Sequence, residues 1–398
     1  MTQDIEHQVD QLLLEQGEYL PLEFLLQEGR LLYADYEAWR NGEFDYLDKT
    51  LFGDHEHIKQ QLTQAADYLQ RRGWQAETLT YHSWCNDSTQ RLRFSQNNAL
   101  EQCFHQRYHK PEDQPQMDLF TDAPATNLFN GITQALIDRN PVEARRLLEQ
   151  LYDTAPDHAR LGELEHLVEA AEGLNTPVND AATDMQMLQQ TLLPLAESLL
   201  GKNSRNLLIP LWRRLSSALQ NQTYQAATPM LHLSYTASQS MDWEAVRHAV
   251  EGESHWRSDP VLLLRHAQAS EYLHQKPAAL LSWFKLCWQF PEQCDALESS
   301  NDHELRQQWI NFLELDPELP GQSFPAWLLI TKPSLVRQLP EPDSIPEIKC
   351  PISYATLYQL QHERMQSHAE HGSDNAITLR AQLKQQDSEL FQHFLNNI

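Results

Sequence analysis

Residues 260–291 read PVLLLRHAQASEYLHQKPAALLSWFKLCWQFP and divide into two helices. Pro260 and Pro277 stand where a helix tolerates proline, in its first turn, because the missing N–H has no intrahelical acceptor there. Leu and Ala, both good helix formers, dominate the positions between. A short polar break, His274-Gln275-Lys276, separates the two runs. The sequence therefore predicts a helical hairpin, Pro260–His274 followed by Pro277–Phe290, stopped by Pro291.

The same arrangement is expected upstream, where Asn127–Arg139 precedes Pro141–Asp153. Between the two hairpins, helices are expected over Asp180–Leu200, over Leu207–Leu219 and on through Val250. Composition agrees: only 12 of 398 residues are glycine, too few for a fold built on phosphate loops, tight hairpins or dinucleotide turns. The net charge of −26, from 56 acidic and 30 basic residues, opposes broad binding to nucleic-acid backbone or anionic membrane. Five cysteines in a long chain, none in a C-x-x-C pair, suit a reducing cytosol. The acidic start MTQDIEHQVD is unlike a signal peptide, and no apolar run approaches the ~20 residues of a membrane span. A cytoplasmic protein with no membrane partner is the expectation.

Ala144, Ala245 and Ala279 each fall early in a second helix, in PVEARRLL, DWEAVRHA and KPAALLSW. Ala245 and Ala279 are 34 residues apart, and Pro156 and Pro291 each follow an alanine by 12. This resembles the tetratricopeptide repeat over about 127–160 and 230–292, with Ala267 at the small position of a first helix. Residues 161–229 lack the signature, and Arg257 stands where the unit around Ala245 would carry its terminal proline. The resemblance implies a mainly α fold, an irregular α-solenoid of tetratricopeptide type that holds another protein.

Residues 1–109 read as a small α+β N-terminal domain. Asp54 is placed to cap a helix with Ile58, Leu62, Ala65, Ala66 and Leu69 on one face, ending at Arg71-Arg72-Gly73. Period-two alternation over Thr78–Ser83 and around Leu92 and Phe94 predicts one β-hairpin, and a helix from Asn98 to His109 closes the domain. The 127–317 stretch is the helical-repeat array. Residues 318–398 are expected to be a packed, extended proline-rich strap followed by capping helices over Ser353–His371 and Asp374–Phe394.

Residues 110–126 read as a linker, and Gln116-Met117-Asp118-Leu119-Phe120 inside it resembles the bacterial sliding-clamp-binding pentapeptide at all five positions. The resemblance implies that Leu119 and Phe120 enter an apolar pocket of the clamp while Gln116 fixes orientation. The alternative is that they pin the segment to its own domain. Arg71, Arg72, Arg91, Arg93 and Arg107, interleaved with aromatic residues, form a possible nucleic-acid patch, though the charge balance leaves nucleic acid a minor partner at most. His82, Cys85, Cys103, His105 and His109 lack the two tight pairs of a structural zinc site and read as buried thiols and surface histidines. No cofactor is expected, and no catalytic constellation stands out. Two functional readings follow: a non-enzymatic protein-binding adaptor or scaffold, or a bacterial DNA-maintenance accessory tethered to the sliding clamp.

Overall fold

The computed structural model describes residues 2–84, 91–110, 123–344, 350–366 and 374–397. It is mainly helical, with one small sheet. The chain divides into two compact units. The first holds Met1–Gln222 with Met230–His232 and Gln239–Asp242; the second holds Thr223–Pro229, Leu233–Ser238 and Trp243–Ile398.

The first unit opens with α1 (Thr2–Gln16), β1 (Glu18–Tyr19), α2 (Pro21–Gln27), α3 (Tyr33–Arg40) and α4 (His55–Arg71). Local signals set α4: the Asp54 carboxylate accepts from the His57 N–H, and Ile58, Leu62, Ala65 and Leu69 are buried. Gly73 then adopts φ +79°, a left-handed conformation that glycine reaches without Cβ strain. Next come β2 (Gln75–Thr78), α5 (Asn98–Phe104) and β3 (Gln106–His109). The sheet order is β1-β3-β2, antiparallel throughout, with Tyr19 opposite Tyr108 and Thr78 opposite Gln106.

The sheet differs from the expected hairpin. Among the described residues of 78–94, the two arms pair with each other through one bridge, His82 with Arg91, beside a bond from the Leu92 N–H to the Tyr81 carbonyl, while Arg93 bridges to Tyr46. The helix expected to reach His109 ends at Phe104. Tyr108 and Tyr19 explain the exchange: both are buried and meet edge to face at 6.1 Å. Pairing β3 with β1 covers two rings that a longer helix would leave in water. Leu92 and Phe94 are buried all the same, and Phe94 stacks on Phe104 at 3.8 Å.

The rest of this unit is α6 (Ala123–Ile137), α7 (Pro141–Thr154), α8 (Leu161–Glu172), α9 (Ala181–Met187), α10 (Leu193–Leu200) and α11 (Ser204–Leu219). A π turn, Leu188–Leu192, joins α9 to α10. Pro194 cannot donate and its ring crowds the carbonyl one turn back, which a wider turn relieves.

The second unit carries α12 (Leu233–Gln239), α13 (Trp243–Glu251), α14 (Pro260–Tyr272), α15 (Lys276–Gln289), α16 (His303–Leu313) and α17 (Phe324–Thr331). It closes with α18 (Ile352–Gln366), α19 (Asp374–Gln386) and α20 (Ser388–Asn396). The α17 segment lies where an extended strap was expected. Its residues from Phe324 to Ile330 are all buried, and it packs on α15, α16, α18 and α20. A helix apolar on every side belongs in the middle of a bundle, and Pro325 is tolerated there because it sits in the first turn. The last expected helix is interrupted at Asp387, whose carboxylate caps α20 through the Leu390 N–H.

The hairpin turn recurs. Arg139, between α6 and α7, and His274, between α14 and α15, both take φ 55°, and Met241, between α12 and α13, takes φ 57°. Two of these turns share their hydrogen bonds: the Asn140 N–H reaches the Ala135 carbonyl, and the Gln275 N–H reaches the Ser270 carbonyl. This is the left-handed helix stop in which the chain reverses within two residues. Ala144 and Ala279, five residues past each turn, are buried where the paired helices meet, whereas Ala245 is half-buried.

Candidate functional site

Five residues inside the linker were the most specific functional signal in the sequence, but Gln116, Met117, Asp118, Leu119 and Phe120 lie outside the described residues. Cys85 does also.

The arginines of the expected nucleic-acid patch are spread over three places: Arg71 and Arg72 at the end of α4, Arg91 and Arg93 around the bridge, and Arg107 on β3. Four of them lie against carboxylates. Arg71 meets Glu6 at 3.1 Å, Arg72 meets Asp10, Arg93 faces Glu101 at 3.9 Å, and Arg107 contacts Glu18 and Glu77. A phosphate would have to displace these partners, which removes much of the counterion gain that drives backbone binding. His105, from the zinc reading, instead points Nδ1 at the Leu79 carbonyl, 2.9 Å away. Among the described residues, no three His, Cys, Asp or Glu side chains could hold a metal ion together.

The densest polar site of the first unit was not visible in the sequence. Glu37 on α3 holds both Arg139 and Arg213. Glu23 on α2 takes Arg205 through both terminal nitrogens. Glu18 on β1 contacts Lys202 and Arg107. Arg40 donates to the Tyr36 hydroxyl at 2.8 Å and to Asp138 at 3.2 Å, with its guanidinium 4.5 Å above the Trp84 ring. Glu18, Glu23, Glu37 and Arg40 are all under 9% exposed. Buried charges of this kind persist only when paired. Burial pushes the Tyr33 and Tyr81 phenols well up, so both act as neutral groups, and Tyr33 donates to Asn206 at 2.9 Å.

A cavity of about 340 Å³ opens within this network. Four cations, Arg40, Arg107, Lys202 and Arg205, line it together with three carboxylates, Glu18, Glu23 and Asp138. Burial, reinforced by Arg205, pushes the Lys202 ammonium down to about 8.

In the second unit, Ser282, His266 and Glu251 form a line that resembles a hydrolytic triad. Ser282 Oγ lies 2.8 Å from His266 Nδ1, and His266 Nε2 lies 3.3 Å from Glu251. Ser282 is 2% exposed, the hydroxyl sits in the α14–α15 contact, and none of the cavities described here reaches it. A nucleophile must meet a substrate carbonyl, and this group instead makes polar contacts that tie three helices, α13, α14 and α15.

The helical surfaces also carry exposed apolar side chains: Val142 on α7, Met187 at the end of α9, and Ile310 and Leu313 on α16. Met187 edges a groove of about 270 Å³ between α8, α9 and α11, with Leu188, Leu192, Leu211 and Leu215 along it. Among the described residues no helix is long and apolar enough to cross a membrane. Comparison with family models, with curated proteins and with solved structures gives no match for this chain.

Proposed function

We propose that this chain is a cytoplasmic, non-enzymatic adaptor that holds another protein on its helical surfaces. The observation that carries the reading is the repeated hairpin: two helix pairs far apart in sequence reverse on the same left-handed turn, at Arg139 and His274, and bury an alanine at the same distance beyond it. Helical pairs built this way expose one face of each helix, and stacked faces make extended protein-binding surfaces. The apolar groove beside Met187 suits the apolar stripe of a partner helix. The buried titratable groups of the first unit are held in ion pairs, which suits a scaffold better than proton transfer.

The test is affinity capture from a bacterial lysate with the intact chain and with Met187→Glu and Ile310→Glu, two exposed positions where a charge costs little stability. A partner held by the intact chain and lost with either variant supports the adaptor. Capture that neither variant alters rejects these surfaces.

A second reading rests on Gln116–Phe120: the chain is an accessory of DNA maintenance tethered to the bacterial sliding clamp. It predicts binding to the clamp in the micromolar range, about −8 kcal/mol, abolished when Leu119 and Phe120 are both changed to alanine. A calorimetric titration with clamp that shows no heat removes the tether and leaves the adaptor.

A further inference from the structure

The cavity among α2, α3, β1, α6 and α11 of the first unit does more than balance charge. Its lining holds one more cation than it holds carboxylates, in a chain whose overall charge is −26. Arg107 spends its Nε on Glu18, but Arg40 and Arg205 are engaged through their terminal nitrogens and keep another donor unspent. Arg205 gives both terminal nitrogens to Glu23, and Arg40 gives its own to Tyr36 and Asp138. The Nε–H of each has no acceptor among the described residues, and both atoms are buried. Arg40 as a whole is only 6% exposed. A buried guanidinium N–H without an acceptor costs free energy that a bound anion would recover. The Lys202 side chain, 18% exposed, sits on the same lining with its Nζ buried. Tyr36 and Tyr81 supply aromatic wall, and the volume falls at the lower end of the range for small-molecule sites.

We propose that this cavity binds a small oxyanion, the carboxylate or phosphate group of a small molecule, between Arg40, Arg205 and Lys202. The anion accepts the two Nε–H donors and shares the Lys202 ammonium with Glu18, which keeps Arg107 as its second partner. Glu18, Glu23 and Asp138 exclude polyanions, because a second phosphate would meet a carboxylate at unscreened range. The site is distinct from the adaptor reading, since its test reads oxyanion binding and not capture of a protein.

The experiment is calorimetry of the full chain with inorganic phosphate and, separately, with acetate, each set against chloride at matched ionic strength. Saturable binding of one of the two oxyanions, without a chloride response, is expected. Phosphate alone assigns a phosphate-bearing ligand, and acetate alone assigns a carboxylate. Arg40→Lys keeps the charge beside Asp138 but removes Nε, and Lys202→Met removes the ammonium while leaving Glu18 paired to Arg107. Each should weaken binding about tenfold to a hundredfold, with the melting curve of the unliganded chain reporting whether the fold persists. Should Arg40→Lys unfold the unit, Lys202→Met carries the test. Absence of saturable heat with either oxyanion, an equal response to chloride, or unchanged affinity in Lys202→Met overturns the proposal.

Discussion

The two units bury different things. In the first, Glu18, Glu23, Glu37 and Arg40 are buried, each paired to a partly exposed counter-charge, beside the aromatic core of α3 and β3. In the second, the centre is a run of rings: Trp309 stacks on Phe312 at 5.5 Å, Phe324 meets Trp309 edge-on at 5.2 Å, and Trp327 joins Phe312 at 5.5 Å. Apolar packing rewards volume and tolerates rearrangement, whereas a buried ion pair tolerates no missing partner. The first unit is therefore the one whose interior has a fixed arrangement of charge, and the second is the one whose stability comes from area removed from water.

The largest expected effect tests the first half of that contrast. Glu37→Gln leaves the Arg139 and Arg213 guanidiniums without their shared carboxylate. Breaking a buried pair from one side costs about 3–5 kcal/mol, and the lower end applies because the Arg213 side chain is 37% exposed. Denaturant titration of the first unit should show that loss. A change of under about 1 kcal/mol would place the network among surface ion pairs and erase the difference between the units.

A smaller effect tests the second half. Ala279→Leu forces a larger side chain into the α14–α15 contact, where Ala279 is 3% exposed, and should cost about 1–3 kcal/mol. Ala245→Leu, one residue short of the corresponding place in α13 and half-buried, should stay within about 0.5 kcal/mol. Equal costs at the two positions would mean that burial in the α14–α15 contact does not set the cost.

These same residues show what a sequence can carry. The α4 helix was legible because its signals are local: a cap at Asp54, a stripe at helical spacing and a stop at Gly73. The hairpin around His274 was legible for the same reason, through its prolines and Ala279. The sheet was not, because Gln106–His109 has too few residues to show a period, and Tyr108 chooses strand only when Tyr19 is beside it. The ion-paired cavity was further out of reach. Glu37 and Arg139 are 102 residues apart, and Glu23 and Arg205 are 182 apart. A lone charged residue reads as surface until the fold supplies its partner. The α17 helix was hidden differently: its flanking prolines suggested extended chain, but only a surrounding bundle makes a helix that is apolar all round stable.

The smallest effect is one of pH, and it has opposite signs for buried histidines and buried carboxyls. Burial lowers His266 below the ordinary 6.5, with Glu251 opposing and Arg247 and Arg257 adding to the shift. The folded state then takes up fewer protons than the unfolded chain as pH falls through 6.5, so stability present above that value is lost on the way down. His105 in the first unit has the same sign, since burial outweighs the help that Glu101 gives its charged form. Glu271 in the second unit runs the other way. Burial raises its carboxyl above the ordinary 4.5, despite donors from Ser300, Asn301 and Trp283. The folded state therefore holds that proton more tightly, and its contribution grows as pH falls. The second unit should lose stability through His266 and regain part of it at lower pH through Glu271, and the first unit should lose it through His105 and regain part through Asp35, whose carboxyl burial also raises. His266→Gln removes the titration and keeps a side chain able to bond to Ser282. Its denaturation midpoint should vary less between about pH 7 and pH 5 than that of the unaltered chain. Parallel slopes for the two proteins would assign the loss to other groups and leave His266 as a neutral helix tie.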